Sequence, residues 1–261
     1  LGGAWLKVFE IGRARRHLRK AVALQRKNAV DGAIGAYNNL ADLELHVGRL
    51  DYAQRALQNI EERSARVSSE VGYGCVLMTQ CHIALLRQTY PQAIAVADRT
   101  IAWARPRGDR VIEGEGLRCK GMAQLACGQD AVETLTLSQR ALAEGGAADT
   151  ARDAAAMLSL AHARAGHPKP AIELARQVMS LGDMAPASLW AAAQALHLAG
   201  ADAHAAHALR QAHDGFQERI RRLSTPGDRE AFAAIPPHRE LVAAHANGVW
   251  PQRLHEALVS S

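Results

Sequence analysis

The sequence predicts an all-α protein, a right-handed α-solenoid of antiparallel helix hairpins ending in C-terminal capping helices. Three observations carry this. Strand formers never cluster with two-residue alternation, and aromatics make up 4% of the 261 residues. A turn residue followed five positions later by alanine recurs, as Gly48 with Ala53, Gln88 with Ala93, Gly166 with Ala171 and Gly200 with Ala205. The turn positions 48, 88, 128, 166 and 200 are spaced by 40, 40, 38 and 34 residues, the period of a repeated helix pair.

The clearest unit runs from Tyr37 to Leu57. Tyr37, Leu40, Ala41 and Leu45 share one helix face, and Leu50, Ala53, Ala56 and Leu57 share another. Gly48 supplies the turn between them, and Ala53 lets the helices approach closely. Neither stripe is buried by one pair alone, so the unit requires stacked copies of itself. In the third copy Glu133 stands five residues after Gly128, which makes that copy degenerate or shifted by one. Gly12 sits where a sixth turn would fall, with His17 at the alanine position.

Taken in order, residues 1–33 read as an N-terminal helix or degenerate repeat, with Leu6, Val8, Phe9, Leu18, Ala21 and Leu24 apolar. Residues 34–223 read as about five hairpins. The second carries Val76, Leu77, Ile83 and Leu85, with Pro91 in the first turn of its second helix and Pro106 and Gly108 closing it. The third carries Leu117, Met122, Leu125, Val132, Leu135 and Leu142, and Gly145-Gly146 ends it. The fourth turns inward Ala154, Met157, Leu158 and Ala161; Pro168 and Pro170 open its second helix and Leu181-Gly182 ends it. The fifth carries Leu189, Ala193 and Leu196, then Ala205, Ala208, Leu209 and Ala212 on a helix reaching about Leu223. Thr225-Pro226-Gly227 breaks the chain. Residues 224–261 then read as capping helices: a short helix from Asp228 to Ala234, a kink at Pro236-Pro237, a helix from His238 to Ala246, and a final turn and helix after Gly248. Phe232, Ile235 and Leu241 would cover the apolar end of the last repeat, as a solenoid requires.

The Tyr37, Leu40, Ala41, Gly48, Ala53 pattern resembles a tetratricopeptide repeat (TPR) array, over roughly residues 34–215. The near-40-residue period resembles the MalT-like branch, whose arrays follow ATPase modules in bacterial transcription and signalling regulators. The Gly227–Leu241 segment resembles the one that closes such arrays. The resemblance implies a non-catalytic scaffold for a protein or peptide, acting as the regulatory C-terminal module of a larger regulator. Its partner would include its own upstream ATPase or DNA-binding domain. The first residue, Leu1 rather than Met, leads to the expectation of a fragment of a longer protein. In TPR arrays the first helix of each unit lines a concave groove. On a common register the groove positions carry Asn38, Asp42, Met78, His82, Arg118, Met122, Trp190, Gln194 and His197. Such a mixture suits an extended peptide or helix. The family's Lys/Asn clamp for a C-terminal carboxylate is missing here, since Arg118 and Asn38 occur without a lysine.

Other classes find less support. A net charge of +5 and a pI near 9.3 are too mildly basic for a dedicated nucleic-acid binder. The run Arg13, Arg15, Arg16, His17, Arg19, Lys20 reads as a solvated helix face, with no aromatic interleaved to stack on bases. No apolar run reaches the roughly 18 residues that span a bilayer. There is no GxSxG, no phosphate-cradling glycine loop and no dinucleotide fingerprint, so no cofactor and no enzyme activity are expected. Cys75, Cys81, Cys119 and Cys127 form no CxxC pair and read as buried thiols of a reducing cytoplasm. Asp202 reads as a helix cap. Two alternatives remain: a small-molecule sensor within the superhelix, and a metal-dependent enzyme on His197, His204, His207 and His213.

Overall fold

The computed structural model describes residues 10–28, 30–67, 70–180, 182 and 184–250, with side chains outside 25–33, 63–72 and 75. The expectations for Leu6, Val8, Phe9, Leu181, the Cys75 side chain and the helix after Gly248 lie outside the described residues. Thirteen α-helices and no strand are found among the described residues. α1 (Ile11–Asn28) leads into five hairpins. They are α2 (Val30–His46) with α3 (Leu50–Val67), and α4 (Glu70–Leu86) with α5 (Tyr90–Ala104). A 3-10 turn, Arg105–Arg107, leads to α6 (Arg110–Ala126) with α7 (Val132–Glu144). Then come α8 (Ala148–Arg164) with α9 (Pro168–Met179), and α10 (Pro186–Leu198) with α11 (Asp202–Arg222). α12 (Pro226–Ala234) and α13 (Pro236–Asn247) follow. Each first helix packs on its own partner and on the first helix of the next pair: α2 on α4, α4 on α6, α6 on α8, α8 on α10. The protein is therefore an all-α helical-repeat solenoid.

The hairpin turns share one backbone solution. Gly48, Gln88, Gly128, Gly166 and Gly200 all take positive φ, between 59° and 80°. Each donates its N–H to the carbonyl three residues back, and the next residue donates to the carbonyl five back, as in Arg49 N to Glu44 O at 2.8 Å and Ala201 N to Leu196 O at 2.8 Å. This double bond satisfies the last carbonyls of the first helix and reverses the chain. Gln88 does the same without glycine's freedom, at a cost of about 1 kcal/mol. Gly12 lies inside α1, so the sixth turn does not exist.

The alanines five residues beyond the turns, Ala53, Ala93, Ala171 and Ala205, are buried. In the third hairpin the turn is two residues longer, because α7 starts at Val132, whose N–H is taken by Asp130 Oδ1 at 2.9 Å. The shift is therefore two, not one. It brings Leu135 to the alanine place, fully buried. The facing position seven residues before the turn is Ala41, Cys81, Ser159 or Ala193 in the other hairpins; opposite Leu135 it is Gly121. A Cβ on Gly121 would stand 2.5 Å from Leu135 Cγ, so bulk on one helix is matched by its absence on the other. Gly121→Ala is expected to lose about 1–2 kcal/mol in urea denaturation: overpacking at roughly 1–3 kcal/mol outweighs the gain in helix propensity of about 1 kcal/mol. Adding Leu135→Ala should recover much of the overpacking loss.

The C-terminal helices do more than cover the last repeat. Phe232 stacks on Phe216 of α11 with ring centroids 5.7 Å apart, and Leu241 is fully buried. Pro236 and Pro237 begin α13 rather than standing as a separate kink, and Ile235 alone divides the two helices. α12 then meets the first hairpin. Backbone at Gly48 comes so close to Ala231 that an added Cβ would lie 2.5 Å from its carbonyl oxygen. Asp228 accepts from Arg15 Nη1 at 2.8 Å and from Arg49 Nε at 3.0 Å, while Arg15 also donates to Glu44 at 2.8 Å. One apolar cluster joins Ile11, Ala14 and Val47 to Phe232 and Leu241. Arg15 thus leaves the expected solvated face and fastens the two ends of the solenoid together, whereas Arg16, Arg19 and Lys20 stay exposed. On α1 the buried stripe is Ile11, Ala14, Leu18 and Val22, while the apolar Leu24 is 58% exposed.

Candidate functional site

Because the first helices stack in register, positions four apart on each form a ladder along the inner face. There they wall a cavity of about 850 Å³. α2 contributes Asp42, Leu45 and His46; α4 contributes His82, Leu85 and Leu86; α6 contributes Arg118 and Met122. α8 adds Asp149, Arg152 and Asp153, and the far wall is Met184 and Pro186 with the end of α11. The capping helices supply Phe232, Ile235, Pro237 and His238. Charged side chains stand on α2, α4, α6, α8 and the end of α11, and apolar ones on the capping helices and at Met184 and Pro186.

Four of the nine groove residues expected from the register, Asp42, His82, Arg118 and Met122, meet in this cavity. Asn38 and Met78 are half-buried and lie outside its lining. Trp190 and Gln194 are buried. Trp190 Nε1 donates to Glu240 of α13 at 3.4 Å, and His197 stacks on Trp250 at 4.6 Å, so the C-terminal segment covers this end of the expected groove. Asp202 does not cap α11; it lies 3.3 Å from His197 Nδ1. The histidines of the proposed metal cluster go different ways: His204 contacts Arg176 at 3.3 Å and His213 stacks on His245 at 3.6 Å. Cys81 and Cys119 are buried thiols, but Cys127 is exposed.

The polar wall is a coupled network. His46 Nδ1 stands 3.4 Å from Asp42 Oδ1, which pushes the imidazole up to about 9 and holds Asp42 low despite burial. Water reaches both groups, with 54% of the His46 and 44% of the Asp42 side-chain surface open. Arg118 donates to Glu115 Oε2 at 2.7 and 3.1 Å, and its Nη2 lies 3.2 Å from His82 Nε2. Burial opposes the charge on Glu115, but Arg118 and His82 outweigh it and hold the carboxyl well below its usual range. Asp153 is raised by burial, against the hydrogen bond from Ser188 at 2.6 Å. Cys119 is held high by its hydrogen bond with Cys81 and by burial, so it stays a thiol. His46 and Glu115 escaped the sequence reading, although each is three or four residues from a named groove residue on the same face.

Among the described residues, His82, Glu115 and Cys119 place their donor atoms within 4.8 Å of one another. Arg118 already holds that space, touching both His82 and Glu115. A metal ion would have to expel a guanidinium from its carboxylate, so this donor set does not fit a resident metal.

No protein-family model and no curated protein matches the chain. No helix among the described residues is long and apolar enough to cross a membrane.

His238 ties the cavity to the cap. It is buried, its Nδ1–H donates to Phe232 O at 2.8 Å, and its ring packs on Phe216 and Phe232. Burial lowers its pKa from 6.5 to about 4. A histidine depressed on folding stabilises fully above its unfolded pKa and loses that contribution as pH falls toward the folded value. Between pH 6.5 and about 4 the cap should therefore lose on the order of 2–3 kcal/mol. Protection factors of the α12 and α13 amides, taken relative to the intrinsic exchange rate at each pH, should fall across this window. His238→Phe should flatten the slope; His162 and His213, also lowered, would leave only a residual one elsewhere.

Proposed function

We propose that the chain is a non-catalytic recognition module of the TPR type whose interior cavity holds a small ligand. In the larger protein implied by its MalT-like resemblance, occupancy would be passed to an attached ATPase or DNA-binding domain. The observation that supports this reading is the cavity itself. Its volume lies within the roughly 300–1,000 Å³ of small-molecule pockets, and apolar side chains line it together with a dense set of charged groups. An extended peptide along the whole inner face is a weaker fit, because α12, α13 and Trp250 lie over its two ends. Cys119 held as a thiol and Arg118 lying in the only donor cluster among the described residues favour binding over catalysis.

A thermal-shift panel of small organic acids, amines, sugars and nucleosides tests the proposal. A compound at about 100 times its Kd should stabilise by roughly 2.7 kcal/mol, raising Tm by about 5 °C or more. Ala187→Trp, which fills the cavity from its wall, should abolish the shift while leaving the fold intact. A panel without any shift, or shifts that survive Ala187→Trp, would count against the cavity as the site.

A further inference from the structure

We propose that the ligand is a small organic acid, an apolar body bearing one carboxylate, with the carboxylate taken between Arg118, His82 and His46. This rests on the reading of the cavity as the ligand site and adds its chemistry.

The first argument is charge. The cationic side chains on the walls are His46, His82, Arg118, Arg152, Arg219 and Arg222. The carboxylates are Asp42, Asp149, Asp153 and Glu218 on the walls, with Glu115 directly behind. With both histidines charged, six positive groups face five negative ones. His46 is pushed up by Asp42; burial opposes the charge on His82, and Glu115, 3.7 Å away, favours it. His238 adds nothing, being neutral. The surplus is one charge, which suits a monoanion better than a phosphate dianion.

The second argument is local geometry. Asp42 serves His46, and Arg152 is served by Asp149 at 3.1 Å. Arg118 and His82 lean on the same Glu115 oxygen, at 2.7 and 3.7 Å, and lie 3.2 Å from each other. Two cationic groups in contact with one shared carboxylate repel each other, and a second carboxylate on the cavity side relieves that. A charge-assisted hydrogen bond from Arg118, whose side chain is 16% exposed, is also stronger than a neutral one. The third argument is the apolar part of the lining. Phe232, Ile235, Pro237, Met184 and Pro186 offer an apolar surface within the same cavity, where a hydrocarbon or aromatic body is removed from water.

Calorimetry with octanoate, octylamine and octanol, which differ in charge on one apolar chain, tests the proposal on the unaltered protein. Octanoate is expected to bind at least tenfold more tightly than either of the others, and Ala187→Trp should block it. His82→Gln and Arg118→Gln should each weaken octanoate tenfold or more while changing octanol less than twofold. Circular dichroism establishes that each variant is folded, and the comparison among the three probes needs no variant. Octylamine or octanol binding as tightly as octanoate, blocked by Ala187→Trp, overturns the acid proposal and leaves the cavity reading standing. Silence from all three probes overturns the acid proposal too, and the panel of chemically different compounds then decides separately whether the cavity is a site at all.

Discussion

Asp228→Ala is expected to destabilise the protein by about 3–5 kcal/mol, the cost of stranding buried charges when one partner of an ion pair is removed. Asp228 is 3% exposed on its side chain, and it faces two guanidinium groups that have little access to water, Arg15 at 15% and Arg49 at 29%. Burial disfavours its charge, yet the hydrogen bonds from Arg15 and Thr225, with Arg49 close by, hold its pKa below the usual value. The contribution is therefore present above pH 3.8 and lost as pH falls through the lower folded value. Urea denaturation at pH 7 measures the loss. Limited trypsin digestion should show earlier cutting near Arg222, where the cap would swing from α11. A double-mutant cycle with Arg15→Ala should give a coupling of at least 1 kcal/mol; a loss under 1 kcal/mol for Asp228→Ala would mean that the clasp bears no weight.

Gly48→Ala should cost about 3 kcal/mol, and Gly200→Ala about 1. The two glycines have nearly the same backbone, with φ of 80° and 79°. Both substitutions incur the left-handed strain of an L side chain. At Gly200 a Cβ meets nothing within 4 Å. At Gly48 it meets Ala231 O at 2.5 Å and Ile235 Cγ1 at 2.9 Å, and a backbone oxygen cannot rotate away. The difference between the two melts isolates how tightly the cap presses on the first hairpin. Equal losses would show that the cap yields without cost.

Much of the repeat structure was legible because its signals are local. Turn residues, the alanine three residues into each second helix and the apolar stripes lie within one hairpin of each other, so period alone places them. The exception shows the limit: a turn longer by two residues moved the small position from one helix to the other, and only the pairing of Gly121 with Leu135 makes the third unit intelligible. The inner face was half legible. A register read from the turns finds Asp42, His82, Arg118 and Met122, since each faces inward whatever lies beyond. It places Trp190, Gln194 and His197 on the same face, but it cannot foresee that Glu240 and Trp250 return to cover them. That return depends on rotation accumulated over five hairpins, a long-range property that no short window of residues encodes. Arg15 was hidden for the same reason, because its partner Asp228 is 213 positions away.

The clasp between α1 and α12 has a consequence for how the molecule comes apart. An open row of repeats frays from its tips, losing units one at a time as each terminal interface melts. Here neither tip is terminal, so no unit can leave without first breaking a junction at the other extreme of the chain. Heating should therefore give a single cooperative transition rather than a staircase. Refolding should wait on a late, slow closure, since the two halves of the fastening are among the most distant contacts the polypeptide makes.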